Sequence, residues 1–294
     1  MHEIVIISGK GGTGKTSVCA GLAHLMGNGV ICDLDVDTPD MHIILKPEKH
    51  LHEPFISGHT AWICGEKCTA CGKCLELCRF EAVEEKDGKF AVNGSRCEGC
   101  GVCVDLCPAG AVDFPEKTAG DWYVSSSRFG PMIHARLFPG EENSGRLVTL
   151  LKQKAKQYAV EHGLGYILCD GSPGIGCPVI SSLSGASLAA AVVEPTPSGL
   201  HDFVRVADLC DHFRIPLAVI INKADLNKEA REGIESFCAE RGYGIAGCLP
   251  FSQDMTQAMI RCQAVTETES ALANALTDVW QNIQNRLAET KPKN

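Results

Sequence analysis

A glycine-rich segment, "SGKGGTGKTS" at residues 8–17, directly follows the apolar run "EIVIIS". Gly9, Gly14, Lys15 and Thr16 match the spacing G-x-x-x-x-G-K-[ST], and the residues after them have the apolar periodicity of a helix. Glycine permits a tight turn in which backbone N–H groups and the helix N-terminus face phosphate oxygens. The segment therefore predicts a nucleotide phosphate site; a merely structural glycine turn would not need the lysine and threonine.

Specific contacts are predicted within this loop. Lys15 is expected to reach the β- and γ-phosphates, and the hydroxyl of Thr16 is expected to hold Mg²⁺. The residues predicted to contact the nucleotide are Gly11, Gly12, Thr13, Gly14, Lys15, Thr16 and Ser17.

Lys10 is a second lysine in the loop. The string "KGGTGKT" resembles the deviant phosphate loop of the MinD/ParA superfamily of P-loop ATPases, which also includes the nitrogenase iron protein. In that family the early lysine contacts the nucleotide across a dimer. The resemblance therefore implies that Lys10 is catalytic and that ATP brings two copies of the chain together.

Three further segments resemble the family in the expected order. "VICDLDVDTPDMHIIL", with Asp33 and Asp35, is similar to its second strand and switch I, and "YILCDGSPGIG" is similar to its Walker B strand and switch II. "LAVIINKAD" is similar to its adenine-recognition segment. The resemblance implies that Asp35 orients the attacking water, that Asp170 holds Mg²⁺ with Thr16, and that the base is bound by Asn222 and Lys223. A carboxylate at the end of a parallel strand faces the phosphate crevice, which agrees with these roles.

Two cysteine runs, "CTACGKCLELC" and "CEGCGVCVDLCP", form an internal repeat with an offset of 29 residues. Both have the spacing C-x₂-C-x₂-C-x₃-C of bacterial two-cluster ferredoxins, where the fourth cysteine of each run ligates the other cluster. We therefore predict two [4Fe–4S] clusters, with zinc as the alternative. The ligands of cluster 1 are expected to be Cys68, Cys71, Cys74 and Cys107. Those of cluster 2 are expected to be Cys97, Cys100, Cys103 and Cys78.

The resemblance to the ATPases covers residues 1–56 and 118–294, and the cysteine repeat lies between them. The whole arrangement looks like a MinD-type ATPase with an inserted ferredoxin domain. It implies an α/β fold: a mostly parallel, doubly wound sheet of the SIMIBI type, interrupted by an α+β ferredoxin-like domain. The expected domains are 1–58 with 118–294, and 59–117. The expected strands of the ATPase are 3–8, 29–33, 166–170, 188–194, 216–221 and 245–249.

Other features carry open alternatives. Cys177 is either a cluster ligand at a dimer axis, as in the nitrogenase iron protein, or a switch-region thiol; Cys64 is interpreted as a bystander. Arg128, His134 and Arg136 are assigned either structural roles or a role in coupling. The C-terminal segment is amphipathic and is expected to cover the core rather than a membrane. Its apolar face consists of Leu272, Leu276, Val279, Trp280, Ile283 and Leu287.

The net charge of −9 and the pI near 5.6 argue against a broad nucleic-acid-binding face. The start of the chain lacks signal-peptide features and no apolar run approaches ~20 residues, so a cytoplasmic protein without a membrane span is expected. The predicted function is a Mg²⁺-dependent ATPase whose nucleotide-driven dimer switch is coupled to two [4Fe–4S] clusters, in electron transfer with a protein partner. The alternatives are a cluster scaffold or carrier of the Mrp type, and a MinD-like spatial organiser with redox sensing.

Overall fold

The structure is a computed structural model that describes residues 1–142 and 145–289. The chain divides into two compact units. Unit 1 consists of Met1–His52, Trp122–Arg136 and the described residues from Glu142 onward. Unit 2 consists of Glu53–Asp121 and Leu137–Glu141.

Strands and helices alternate along most of unit 1, as expected for an α/β fold. The elements of both units are numbered together in chain order. The strands are β1 (His2–Ser8), β2 (Gly29–Asp33), β3 (Glu48–His59), β4 (Trp62–Ile63), β5 (Val83–Lys86), β6 (Lys89–Val92), β7 (Val112–Asp113), β8 (Glu116–Ser127), β9 (Gly130–Leu137), β10 (Tyr166–Pro173), β11 (Leu188–Val193), β12 (Leu217–Asn222) and β13 (Gly244–Leu249). The helices are α1 (Lys15–Met26), α2 (Met41–Leu45), α3 (Lys73–Leu77), α4 (Val102–Asp105), α5 (Arg146–Glu161), α6 (Cys177–Leu183), α7 (Pro197–His212), α8 (Lys228–Arg241), α9 (Gln253–Ile260) and α10 (Ala271–Glu289).

One large sheet dominates the fold. Within the described ranges it has nine strands in the order β13-β12-β11-β1-β10-β2-β9-β8-β3. From β13 to β9 every neighbouring pair is parallel. The central strands β2, β11 and β12 are buried along their whole length, which explains their Val-, Ile- and Ala-rich sequences. The carboxyl ends of these parallel strands share one edge of the sheet, where side chains can converge on a ligand.

Two helices cover the same face of the sheet. Helix α1, directly after the glycine-rich loop, packs with α10 and the sheet in one apolar cluster. The six residues predicted as the apolar face of the C-terminal segment are all buried. The prediction that this helix covers the core is therefore confirmed.

Unit 2 reproduces the sequence repeat in its backbone. Strand β4 pairs with β7, and β5 pairs with β6, both antiparallel. Helix α3 and helix α4 each begin after a glycine with φ 74°, Gly72 and Gly101, at the repeat offset of 29 residues. The N–H of Cys64 donates to the carbonyl of Ala111, and the equivalent Asn93 donates to Ala82. The two halves of this unit are thus built alike.

All six strands predicted for the ATPase are present within a few residues of their expected ends. The sequence did not predict that β3, β8 and β9 would extend the sheet. Arg128 donates to the carbonyls of Ile44 and Cys262, which favours a structural role for it. His134 is buried in β9, whereas Arg136 is exposed.

Candidate functional site

The glycine-rich loop joins β1 to α1 and depends on its glycines. Gly12 and Gly14 have φ values of 79° and 90°, in the left-handed region that residues with a Cβ rarely adopt. A Cβ on Gly14 would also lie 2.4 Å from Nδ2 of Asn222, which donates to the carbonyl of Thr13 at 2.7 Å. Asn222 therefore braces the loop from the end of β12.

Lys15 lies at the base of this loop, between two carboxylates. Its Nζ is 2.7 Å from Oδ1 of Asp170 and 3.2 Å from Oδ2 of Asp35. All three side chains are buried. Burial alone would lower the pKa of Lys15, but Asp170 and Asp35 outweigh it and raise that pKa. The lysine is therefore held fully charged where the sequence predicts phosphate binding.

The cluster holds more buried negative charge than positive charge: Asp33, Asp35 and Asp170 face a single buried ammonium, that of Lys15. Burial raises the pKa of Asp33 well above its usual value, and repulsion from Asp170 adds to this. Burial also raises the pKa of Asp170, although Lys15 and the hydroxyl of Thr16 act in the opposite direction. Among the described residues, Oδ2 of Asp33 and Oδ2 of Asp170 are buried without a hydrogen-bond partner. Unpartnered carboxylate oxygens beside a threonine hydroxyl are the donors that Mg²⁺ prefers, so these residues fit a Mg²⁺ site.

A cleft of about 430 Å³ opens over the loop, and residues from several strand ends line it. Among the predicted residues, it is lined by Gly11, Gly12, Gly14, Lys15, Thr16, Ser17, Asp35, Asn222 and Lys223. Thr13 is buried beneath the loop, and Lys10 does not line the cleft. Asp170 does not line the cleft either, but it contacts Lys15, which does.

One wall of the cleft was missed by the sequence analysis. It comes from the segment after β13 and from α9, with Pro250, Phe251, Ser252, Met255, Thr256 and Met259. The signal was available: residues following a parallel strand lie at the ligand-binding edge of the sheet. These residues give the cleft a partly apolar wall.

Lys10 lies on the other side of the loop. Its Nζ donates to Oγ1 of Thr196 at 3.3 Å and to Oγ of Ser198 at 3.1 Å, and it is 3.7 Å from Oε2 of Glu194. Oε1 of Glu194 lies 3.0 Å from Nζ of Lys223. One carboxylate therefore contacts both lysines.

In unit 2, one small cavity is lined by cysteines from both repeats. Its cysteines are Cys68, Cys71, Cys74 and Cys107, and Ile63, Phe90 and Val112 are among its apolar residues. Another cavity is lined by Cys78, Cys97, Cys100 and Cys103, together with Ala61, Val83 and Phe114. Each cavity holds three cysteines of one run and the fourth of the other, which is the predicted grouping.

The fourth cysteine of each run also accepts a hydrogen bond. The backbone N–H of Ala82 donates to Sγ of Cys78, and that of Ala111 donates to Sγ of Cys107, both at 3.3 Å. The latter bond lowers the pKa of the Cys107 thiol. Backbone donors of this kind stabilise a thiolate and tune a cluster that it ligates.

All seventeen cysteines lie in the described ranges, and none of them is paired in a disulfide. In that part of the chain, no group of three or more His, Cys, Asp or Glu residues is spaced to hold a single metal ion. A [4Fe–4S] cluster is compatible with this finding, because its thiolates bind different irons and are farther apart than the ligands of one ion. The donor chemistry and the cavities therefore fit such clusters.

Other predicted residues lie apart from these sites. Cys177 is exposed at the first residue of α6, and Cys64 lines neither cysteine cavity. Within the described residues, no helix has the length and apolarity required to cross a bilayer.

Comparison with known proteins identifies similar chains. The family model for the CobQ/CobB/MinD/ParA nucleotide binding domain matches residues 4–265. The uncharacterized protein MJ0578 of Methanocaldococcus jannaschii is 31% identical over 287 residues, which is 96% of this chain and 96% of that protein. The uncharacterized protein MJ0579 of the same organism is 24% identical over 76% of this chain and 81% of that protein.

Solved structures share the fold at low identity. The septum site-determining protein MinD from Pyrococcus horikoshii, complexed with Mg-ADP, has a TM-score of 0.58 at 15% identity, with 99% of each chain covered. A ParA family ATPase from Chlorobium tepidum has a TM-score of 0.55 at 16% identity, with 95% of this chain and 98% of that chain covered. The large parallel sheet is therefore that of MinD and ParA proteins.

Proposed function

Because the chain belongs to the CobQ/CobB/MinD/ParA nucleotide-binding domain family, we propose that it is a Mg²⁺-dependent ATPase that carries two [4Fe–4S] clusters. ATP-driven dimerisation would change how the clusters exchange electrons with a protein partner. The observation that carries the iron–sulfur part is the sorting of eight cysteines into cavities of four, each drawn from both repeats. Unit 2 would then be the ferredoxin-like domain predicted at 59–117.

The residues at the base of the loop support the ATPase part. Lys15 would exchange its carboxylate partners for the β- and γ-phosphates, because both kinds of group carry negative charge and the phosphates carry more. Thr16 and Asp170 would hold Mg²⁺, which supplies neutralisation of the charge that develops on the transferred group. Asp35, beside Lys15, would orient the attacking water. Asn222 would fix the loop and the base together, since it binds Thr13 and lines the cleft.

The eight cysteines would hold the clusters, which supply one-electron transfer when bound. Cys71 and Cys100 are exposed, whereas the other cluster ligands are partly buried. These two positions are where a redox partner could approach each cluster. Thiolate ligands of this kind persist in a reducing compartment, and we therefore assign the protein to the cytoplasm.

The alternative functions make different demands on the same structure. A scaffold or carrier of the Mrp type would release its clusters to other proteins, and the exposure of Cys71 and Cys100 is the observation that favours it. A membrane-associated organiser would use a terminal amphipathic helix, but the apolar face of α10 is packed against the sheet.

Anaerobic purification followed by redox titration tests the proposal. We expect about eight irons per chain, since two four-iron clusters are proposed. Addition of Mg·ATP should shift the midpoint potentials of the clusters in the wild type and not in Lys15→Ala. Iron near four per chain or stoichiometric zinc would contradict the cluster assignment. Rapid transfer of iron to an apo-ferredoxin, with no shift in potential, would favour the carrier.

Substitution of Lys10 tests whether the protein works as an ATP-dependent dimer. Its ammonium would reach the phosphates of the nucleotide in the neighbouring subunit, as an arginine finger does. Lys10→Ala should still bind ATP but hydrolyse it ~10³-fold more slowly, the range of comparable fingers. It should also fail to dimerise with a slowly hydrolysed ATP analogue in sedimentation. A wild type that stays monomeric with the analogue would exclude this mechanism and leave the ATPase assignment intact.

A further inference from the structure

Glu194 occupies a position between two lysines of the nucleotide site. It follows β11 directly, so it lies at the ligand-binding edge of the sheet. Its Oε2 is 3.7 Å from Nζ of Lys10, and its Oε1 is 3.0 Å from Nζ of Lys223. Its side chain is 15% exposed, so the contact with Lys10 is only partly screened by water.

The other contacts of Lys10 do not favour a cation. Thr196 and Ser198 offer hydroxyl oxygens at the start of α7, and Thr196 also accepts the N–H of Gly199 as the N-cap. The N-terminus of this 16-residue helix carries partial positive charge, which repels an ammonium group. The negative charge of Glu194 offsets this repulsion. The position of Lys10 therefore depends on that carboxylate.

We propose that Glu194 acts as a latch. Its carboxylate holds Lys10 within its own subunit, and this contact must break when the dimer forms. The inference rests on the proposed role of Lys10 across the dimer. A lysine that is bonded to Glu194, Thr196 and Ser198 cannot at the same time reach a nucleotide in a second subunit. The latch lowers both dimerisation and turnover until the phosphates of the partner's nucleotide compete for the ammonium. Lys223 contacts the same carboxylate, and this second contact weakens the attraction between Glu194 and Lys10.

The first experiment measures the latch itself in the nucleotide-free monomer. An amine-reactive ester labels lysines, and mass spectrometry gives the rate at Lys10 relative to exposed Lys156. Glu194→Gln should raise the relative rate at Lys10 by about threefold or more, because a partly buried charge-assisted contact is lost. The relative rate in Glu194→Asp, which keeps the charge, should lie between the rates of the wild type and of Glu194→Gln. The rate in Glu240→Gln, a substitution at an exposed residue, should match the wild type. An unchanged rate at Lys10 in Glu194→Gln would overturn the latch.

The second experiment measures its consequence. With a slowly hydrolysed ATP analogue, Glu194→Gln should reach half-dimerisation at about tenfold lower protein concentration, since two latches open per dimer. In a Lys10→Ala background, the same substitution should change nothing. Thermal melting and nucleotide titration of each variant show whether folding and binding are intact. Equal or weaker dimerisation of a well-folded Glu194→Gln would overturn the proposal. If Lys10 labelling rises but no form dimerises, the dimer mechanism itself fails.

Discussion

Nζ of Lys15 lies 2.7 Å from Oδ1 of Asp170, although the two residues are 155 positions apart in the chain. The pairing arises because Asp170 of β10 stands in register with Asp33 of β2 and with Ile6 of β1, the strand that leads into the loop. Parallel pairing thus brings an acid from each of two strands to the lysine at the start of α1. The excess of carboxylates over lysines here has consequences for nucleotide binding and for stability.

Lys15→Ala should abolish nucleotide binding and turnover, because the phosphates lose their buried cation. It should also lower the free energy of unfolding by about 3 kcal/mol at pH 7, since buried carboxylates are left unpaired. Burial raises the pKa of Asp33 and of Asp170. The stability difference between Lys15→Ala and the wild type should therefore become smaller as the pH is lowered and these carboxylates become protonated. Denaturant titrations at pH 7 and pH 5 check this. The iron content should stay unchanged, and loss of iron would show that the two units do not fold separately.

Asp33→Asn should stabilise the nucleotide-free protein at neutral pH. With a folded-state pKa above the unfolded value, Asp33 costs no stability in acid, and its cost grows as pH rises through the raised pKa. The amide removes this cost and can donate toward Asp170, while its oxygen still accepts the N–H of Asp35. We expect a gain of about 1–3 kcal/mol at pH 8 that disappears near pH 3. A gain that is independent of pH, measured by denaturant titration, would contradict the assignment.

Much of the fold was predictable because its strands are short apolar runs followed by polar turn signals. Strands β3, β8 and β9 lack that signal. The strand β3, with the sequence "EKHLHEPFISGH", is exposed at most positions, so its residues were not selected for burial. It forms through pairing at the edge of the sheet, which local sequence does not encode.

The candidate site was predictable to the extent that motifs encode it. The phosphate loop, the acids at the strand ends and the cysteine runs each carry a local pattern. Glu194 and the apolar wall around Phe251 have no such pattern, and they belong to the site only because β11 and β13 end beside the loop. Contacts that depend on strand order become visible only in the folded chain.

His134 should make the protein less stable in mild acid. Burial, together with the nearby Lys49 and His42, lowers its pKa from 6.5 to about 4, so it is neutral at pH 7, where its Nε2 lies 2.9 Å from Oγ of Ser125. A depressed pKa means that the unfolded chain takes up the proton first, and stability is lost as pH falls from about 6.5 toward 4. The loss attributable to His134 should be about 2 kcal/mol between pH 7 and pH 5.

The variant His134→Phe provides the comparison, because its ring can keep the stacking on Tyr123 but cannot titrate. Its free energy of unfolding should fall less steeply from pH 7 to pH 5 than that of the wild type. A parallel pH dependence in both proteins would show that His134 does not carry the effect.

The crossed grouping of the cysteines predicts a particular pattern of cluster loss. Cys107 lines the cavity of Cys68, Cys71 and Cys74, although in sequence it belongs to the run that begins at Cys97. The double variant Cys68→Ala/Cys107→Ala should therefore damage one cluster and leave about four irons. The matched variant Cys97→Ala/Cys107→Ala should damage both, because its lost thiols come from different cavities. Iron analysis and electron paramagnetic resonance of the reduced proteins distinguish the two. The reverse pattern would mean that each run ligates its own cluster, and the crossed assignment would be wrong.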